Sequence, residues 1–311
     1  MAVVAREVAS TIDNTYGLLY IAVVVSTALY GAGILQFWMY IRKYHAKDPL
    51  IVKSLVIAVI ICDTCQQSLL CHAVYEYLVA SIANPAILPS VVNTLMIELF
   101  FSCAIATLVQ QFYCWRIYKI GKSIILAGAV SLVSWSACVT LLVYSAKAVQ
   151  LKAFSEVINL KKLSVAANTM SAVTDIIISA VLVVILHTAK TGFKRSTDLV
   201  NRLMVFTFNT GLPTSVCALV ASICVAAFSE TFLYIFFFLL LGRLYTNSIL
   251  VTLNSREYIK SSSESASQEQ YSLENSGVRA RVPQMPTASR DAITIRIDTN
   301  TMHDNDLKSA H

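Results

Sequence analysis

Residues 231–258 carry the run Phe236-Phe237-Phe238-Leu239-Leu240-Leu241, then Gly242-Arg243, then Leu244-Tyr245-Thr246-Asn247-Ser248-Ile249-Leu250-Val251. About 20 apolar residues suffice to cross a bilayer as a helix, and this segment is long enough. It nevertheless holds an arginine near its middle. An arginine at that depth costs roughly 2.5–3.5 kcal/mol on insertion scales unless a partner or water offsets it. Arg243 must therefore face protein or a cavity, and other helices must supply what it faces. The stretch predicts one membrane helix of a larger bundle.

Composition points the same way. Of 311 residues, 56% are hydrophobic and 14% charged, with mean hydropathy +0.65, against about 45–50% and 25% in soluble domains. The eight cysteines (Cys62, Cys65, Cys71, Cys103, Cys114, Cys138, Cys217, Cys224) fall inside apolar segments or at their ends, so no loop-stapling disulfide framework is expected. The net charge of +6 resides in loops and a tail. No basic patch interleaves with aromatics, so nucleic acid is not an expected partner. The first apolar run is about 25 residues, longer than a signal-peptide core of about 7–15, and reads as a retained span.

Seven apolar segments follow one another: Tyr16–Tyr40, Leu50–Val74, Val91–Cys114, Ile124–Tyr144, Val165–Leu186, Leu203–Phe228 and Thr231–Thr252. They predict an all-α, multi-pass membrane bundle of seven transmembrane helices over 16–253, after an extracellular segment over 1–15. The polar remainder, 254–311, includes Ser261-Ser262-Ser263-Glu264-Ser265 and reads as a disordered cytosolic tail. Ala292–Ile297 alternates with period two and could add a strand to a partner's edge. Lys and Arg placement sets the orientation. Eleven lie on one side: Arg42, Lys43, Lys47, Lys53, Arg116, Lys119, Lys122, Lys190, Lys194, Arg195 and Arg202. Five lie on the other: Arg6, Lys147, Lys152, Lys161 and Lys162. This puts the amino terminus outside and the tail in the cytosol. The four lysines of the fourth loop run against that bias, and residues 151–162 read as a short interfacial helix with lysines toward headgroups.

Buried polar positions are where a membrane protein shows its purpose. In span two, Asp63 and Gln67 stand four apart on one face, as do His72 and Glu76 nearer the outside. Span three carries Glu98, Ser102, Ala106 and Gln110 at i+4 steps, and span five Asn168, Ser171, Asp175 and Ser179. Span seven stacks Arg243, Thr246 and Asn247. In span six, Gly211-Leu212-Pro213 frees the carbonyl of Asn209 and predicts a kink. At 1.5 Å rise per residue, Asp63 and Arg243 each lie roughly 18 Å from their helix ends and Asp175 roughly 15 Å from its own. Arg243 is therefore expected to pair with Asp63, Asp175 or both. Together, Asp63, Gln67, His72, Glu98, Asp175, Asn209, Arg243 and Asn247 form an expected intramembrane polar network. A pairing that only fixes helix register fits the same residues.

Several chemistries lack their residues. Cys62-X-X-Cys65 with Cys71-His72 falls short of a structural zinc set, and buried cysteine is usually apolar filler. An intramembrane zinc hydrolase or a di-haem carrier needs several histidines, whereas only His72 and His187 lie near spans, at opposite faces. A retinal protein needs a lysine in the last span, where this chain has Arg243. No cofactor, metal or catalytic residue is expected.

Thr191-Gly192-Phe193-Lys194-Arg195-Ser196-Thr197-Asp198, Asn209-Thr210-Gly211-Leu212, and Leu241-Gly242-Arg243-Leu244-Tyr245-Thr246-Asn247-Ser248 with Leu253-Asn254-Ser255-Arg256 resemble the fifth loop, sixth span and seventh span of one family. Val109–Ile117 and Asp63-Thr64-Cys65-Gln66 with His72 also fit. It is the seven-span family of mushroom-forming (basidiomycete) fungi catalogued as domain of unknown function 6534. The resemblance implies a fungal multi-pass protein with a basic residue at Arg243, and carries no activity over. Seven spans also suit a G-protein-coupled layout. Here, though, span three ends Tyr113-Cys114-Trp115-Arg116, span seven lacks Asn-Pro-X-X-Tyr, and the outer loops hold no cysteines.

The expected function is a receptor- or sensor-like bundle in the plasma membrane, its basic inner loops and tail meeting anionic lipid or a cytosolic protein. A small-solute or proton-coupled transporter is the alternative, although the halves show no inverted repeat. An intramembrane enzyme is disfavoured by the histidine count.

Overall fold

Each apolar segment becomes a helix because a backbone without water must satisfy its own hydrogen bonds. The computed structural model describes residues 13–188, 194–227 and 233–256, without the side chains of 13–14, 154–155, 158, 194–199 and 201–210. Its long helices are α1 (Leu18–Lys43), α2 (Leu50–Tyr75), α3 (Asn93–Gly121), α4 (Ile124–Ala148), α5 (Lys161–Thr188), α6 (Lys194–Ala227) and α7 (Leu233–Asn254). Six of these are long and apolar enough to cross a membrane, and α6 contains a shorter apolar stretch, Gly211–Ala227. The protein is a membrane-embedded helical bundle. The expected extracellular segment lies almost wholly outside the described residues, as do the serine cluster and the 292–297 strand.

Two boundaries differ most from the sequence reading. α2 continues through a π-helical stretch, Glu76–Ala80, to Ala83, nine residues past its expected end. α6 begins at Lys194 and runs as one helix through Pro213, so Lys194, Arg195 and Arg202 are helical rather than loop. Residues 194–202 are mostly polar or basic and give little apolar signal, which is why hydropathy missed roughly the first two and a half turns.

Short connections force successive helices antiparallel. α3 ends on Lys122 in the left-handed conformation (φ 52°), and the Ser123 side chain caps α4 by accepting from the Leu126 amide at 3.3 Å. At the end where α1, α3, α5 and α7 begin, the N-terminal end, the Tyr16 hydroxyl donates to the Leu88 carbonyl. There Tyr77 also donates to the Ser90 carbonyl at 3.1 Å and accepts from the Val92 amide at 2.7 Å. Lys161 donates to the Ala226 carbonyl at 2.9 Å, a cation on the negative end of α6. One of the four lysines that ran against the charge bias thus serves a helix terminus.

Consecutive helices pack in a ring that α7 closes onto α1, while α3 also touches α5 and α7. α3 and α7 are the most buried. Outward residues such as Leu35, Ile51 and Leu132 are exposed, with Ile125 83% exposed, a surface suited to lipid. Inside, one apolar cluster fills the N-terminal half around Leu19, Leu70, Leu95 and Leu239. Another fills the C-terminal half around Val56, Ile105, Leu182 and Ile249.

Candidate functional site

The most expensive side chain has the most partners. Arg243, with no exposed surface, donates from Nε to Ser26 Oγ at 3.0 Å and from Nη2 to Gln67 Oε1 at 2.9 Å. Its Nη1 donates to the Asp63 carbonyl at 2.8 Å and to the Asp63 carboxylate. The guanidinium also lies 5.6 Å from the centre of the Tyr30 ring, within cation–π range. Gln67 turns its amide to Thr27 Oγ1 at 2.8 Å. Asn247, one turn after Arg243, donates to the carbonyls of Leu29 and Arg243 at 3.0 and 2.8 Å. The result ties α1, α2 and α7 together. Ser26, Thr27 and Tyr30 were not singled out from the sequence. They are polar positions clustered within about one turn of a largely apolar span, and that was the available signal.

Asp175 is elsewhere, so the expected choice between two partners resolves to Asp63 alone. Tyr245 follows Arg243 by two residues, about 200° around the helix, and faces the other way. Its hydroxyl donates to Asp175 Oδ2 at 2.7 Å, and Gln110 Nε2 donates to Oδ1 at 3.0 Å. Ser171 shares a bond with the Tyr245 hydroxyl at 3.0 Å, and Ser134 donates to Gln110 Oε1 at 2.9 Å. This second network joins α3, α4, α5 and α7. It borders a cavity of about 320 Å³, mouth included, lined also by Tyr113, Ser179, Gly211 and Thr214. Tyr245 and Ser134 are the members that the sequence reading missed, because a tyrosine in an aromatic-rich span and a lone serine in an apolar one carry little polar signature.

Glu98 belongs to neither network. It is fully buried, and Gln66, equally buried on α2, donates to its Oε1. Glu98 Oε2 and Gln66 Oε1 have no hydrogen-bond partner, which is rare for buried polar atoms. Glu98 also lines a partly open cavity of about 500 Å³, mouth included, at the N-terminal end between α3, α4 and α7. Leu95, Leu99, Tyr144, Tyr234, Phe238 and Leu239 form much of its wall. Gln66 packs on Gly242: a Cβ there would stand 2.6 Å from Gln66 Oε1 and 2.8 Å from Nε2. That glycine lets the Glu98–Gln66 pair lie directly against the helix that carries Arg243.

His72 does not join. Its side chain is 56% exposed, 3.4 Å from Thr94 Oγ1 and 3.9 Å from Glu76, because five residues after Gln67 rotate it about 140° off the inner face. Asn209 lies in α6, and its side chain is outside the described residues. Among the described residues no three His, Cys, Asp or Glu side chains gather as metal ligands.

At the C-terminal end Arg256 grips Asp48 with two bonds, 2.9 and 2.6 Å, and stacks 4.8 Å from the Tyr44 ring centre. Tyr40 donates to Asp48 Oδ2 at 3.0 Å, and Asn254 donates to the Gln36 carbonyl at 2.7 Å. Burial alone would raise the Asp48 carboxyl, but the bonds and charge of Arg256, with Tyr40 and Lys53, outweigh it and hold it below its ordinary value. Residues 254–256, where the tail was expected to begin, are thus anchored to the α1–α2 turn.

No curated protein and no solved structure matches the chain. The stretch from Ser171 to Tyr258, which carries Asp175, Tyr245, Arg243 and the Arg256 anchor, matches the model of the family of unknown function DUF6534.

Proposed function

We propose that this protein is a receptor- or sensor-type bundle of seven spans in the plasma membrane, with α6 as the seventh. Its N-terminal end faces outward, and its chain beyond the α7 anchor forms a cytosolic tail. The Lys and Arg bias supports that orientation. The observation that carries the reading is Glu98 with Gln66, both buried and each with an open acceptor, at an apolar cavity on the outward end. Pockets of a few hundred Å³ with a few placed polar groups are the usual form of small-molecule sites. A ligand there bears on Gln66, hence on Gly242 and α7, whose far end is the Arg256–Asp48 anchor. Basic residues such as Arg42, Lys119 and Lys122 would meet anionic headgroups or a cytosolic protein beside that anchor.

The test is a thermal-shift screen of a small-molecule library against purified wild type, Asp63→Asn and Arg243→Leu, followed by hydrogen exchange of residues 44–49 and 254–256. A receptor requires hits that shift the wild type more than the variants and that change exchange at the anchor. Hits that stabilise all three proteins equally, or leave the anchor unchanged, would sink the reading. A proton-coupled transporter is the second reading. It is favoured by Glu98 and Asp175, two buried carboxyls without an ion-pair partner among the described residues. They stand at two levels, since Glu98 and the Asp175 partner Gln110 are roughly 18 Å apart along α3. Solute-driven proton uptake by reconstituted vesicles, abolished by Asp175→Asn, would select it.

A further inference from the structure

The N-terminal cavity has an uneven chemistry. Its wall is apolar apart from the two tyrosine hydroxyls and one carboxyl, that of Glu98, which has no exposed surface. Gln66 donates to Oε1, and Oε2 has no donor. The two buried atoms without a partner here, Glu98 Oε2 in the wall and Gln66 Oε1 on the residue bonded to Glu98, are both acceptors. Glu98 Oε2 therefore lacks a donor, and the donor that best complements a carboxyl out of water is a cation, because charge-assisted hydrogen bonds are about twice as strong as neutral ones. A bare divalent ion does not fit, since calcium takes about 6–8 oxygen ligands and the wall offers chiefly hydrocarbon. The fitting cation carries an apolar body to cover Leu95, Leu99, Phe238 and Leu239.

Building on the reading of this cavity as the ligand site, we propose that it takes a lipophilic primary amine, with the ammonium on Glu98 Oε2 and the hydrocarbon body between α3, α4 and α7. Glu98 is then the residue that determines ligand class. Arg243 is not available to compete for it, because its guanidinium is committed to Ser26, Asp63 and Gln67. One ammonium adds the single positive charge that this corner of the bundle lacks.

The experiment measures binding of phenylbutylamine and of its neutral match, phenylbutanol, to the full-length protein in nanodiscs, with empty discs subtracting membrane partition. Wild type, Glu98→Gln and Leu95→Trp are compared, the last filling the cavity about one helical turn from the carboxyl. The amine is expected to bind wild type about tenfold or more tighter than the alcohol, as a charge-assisted bond in a dry site allows. The advantage should vanish in Glu98→Gln, and Leu95→Trp should weaken both probes. Equal binding of the two probes by wild type, or no binding of the amine, overturns the assignment, and neither result needs a variant to fold. So does an amine advantage that survives in folded Glu98→Gln, or amine affinity untouched by Leu95→Trp. Failure of the sensor reading looks different: the amine binds through Glu98 while exchange at 44–49 and 254–256 stays as in the free protein.

Discussion

Replacing Arg243 by Met removes a guanidinium that donates to four acceptors: Ser26 Oγ, the Asp63 carbonyl, the Asp63 carboxylate and Gln67 Oε1. Ser26 already donates to Gln67 Oε1 at 3.4 Å, so two of the four keep a partner locally. The Asp63 carboxylate keeps the Thr246 hydroxyl beside it, but Asp63 is 1% exposed, and no second cation stands beside it among the described residues. Removing one member of a buried ion pair costs about 3–5 kcal/mol, most of it the stranded charge. Arg243→Met should therefore lower the thermal midpoint in nanodiscs by several degrees or prevent accumulation of folded protein. Arg243→Lys should fall between, since an ammonium lacks the planar fork that reaches α1 and α2 together. The informative protein is the double variant Asp63→Leu with Arg243→Met. Without stranded charge it should recover at least about 2 kcal/mol relative to the sum of the single losses, within the range of coupling between contacting residues. The assay is a double-mutant cycle on unfolding midpoints, read by tryptophan fluorescence. If Arg243→Met is as stable as wild type, or the double loss equals the sum of the singles, the ion pair does not hold the bundle. A double variant that is stable yet no longer passes a ligand signal to the anchor would assign the pair to signalling as well as to register.

Two further expectations follow from local geometry. Gly242→Ala places a methyl 2.6 Å from Gln66 Oε1; Gln66 must move off Glu98, costing about 1–3 kcal/mol as overpacking does, and the thermal midpoint together with weakened amine binding checks it. The Asp48–Arg256 anchor should respond to acid. The folded carboxyl sits below its unfolded value of about 3.9, so its contribution is complete above that value and is lost as pH falls through and below it. Arg256 is 42% exposed, which limits the gain to about 1 kcal/mol or less; comparing the acid limb of stability in wild type and Asp48→Asn measures it, and identical limbs would contradict the anchor.

How far the site was legible depends on whether a feature lives within one helix or between two. The stripe Glu98, Ser102, Ala106, Gln110 follows from a 3.6-residue period alone, and all four are buried. The same period paired Asp63 with Gln67, and depth brought Asp63 level with Arg243. Depth could not separate Asp63 from Asp175, because both lie near mid-helix. The rotation of α7 separates them: Arg243 turns toward α1 and α2, and Tyr245 toward α3 and α5. Rotation is set by which faces are narrow enough to pack, and on α7 the deciding residue is Gly242, whose missing side chain admits Gln66. His72 failed for the complementary reason. Counting polar residues in a span treats all its faces alike, whereas a helix near its end can leave a histidine to water or headgroups at little cost. Polar content therefore identifies the helices that have an interior task, and glycine and small-residue positions decide which neighbour receives it. On that logic Gly242, more than Arg243 itself, connects the outer cavity to the buried ion pair, because there Gln66, hydrogen-bonded to Glu98, meets the backbone that carries the arginine.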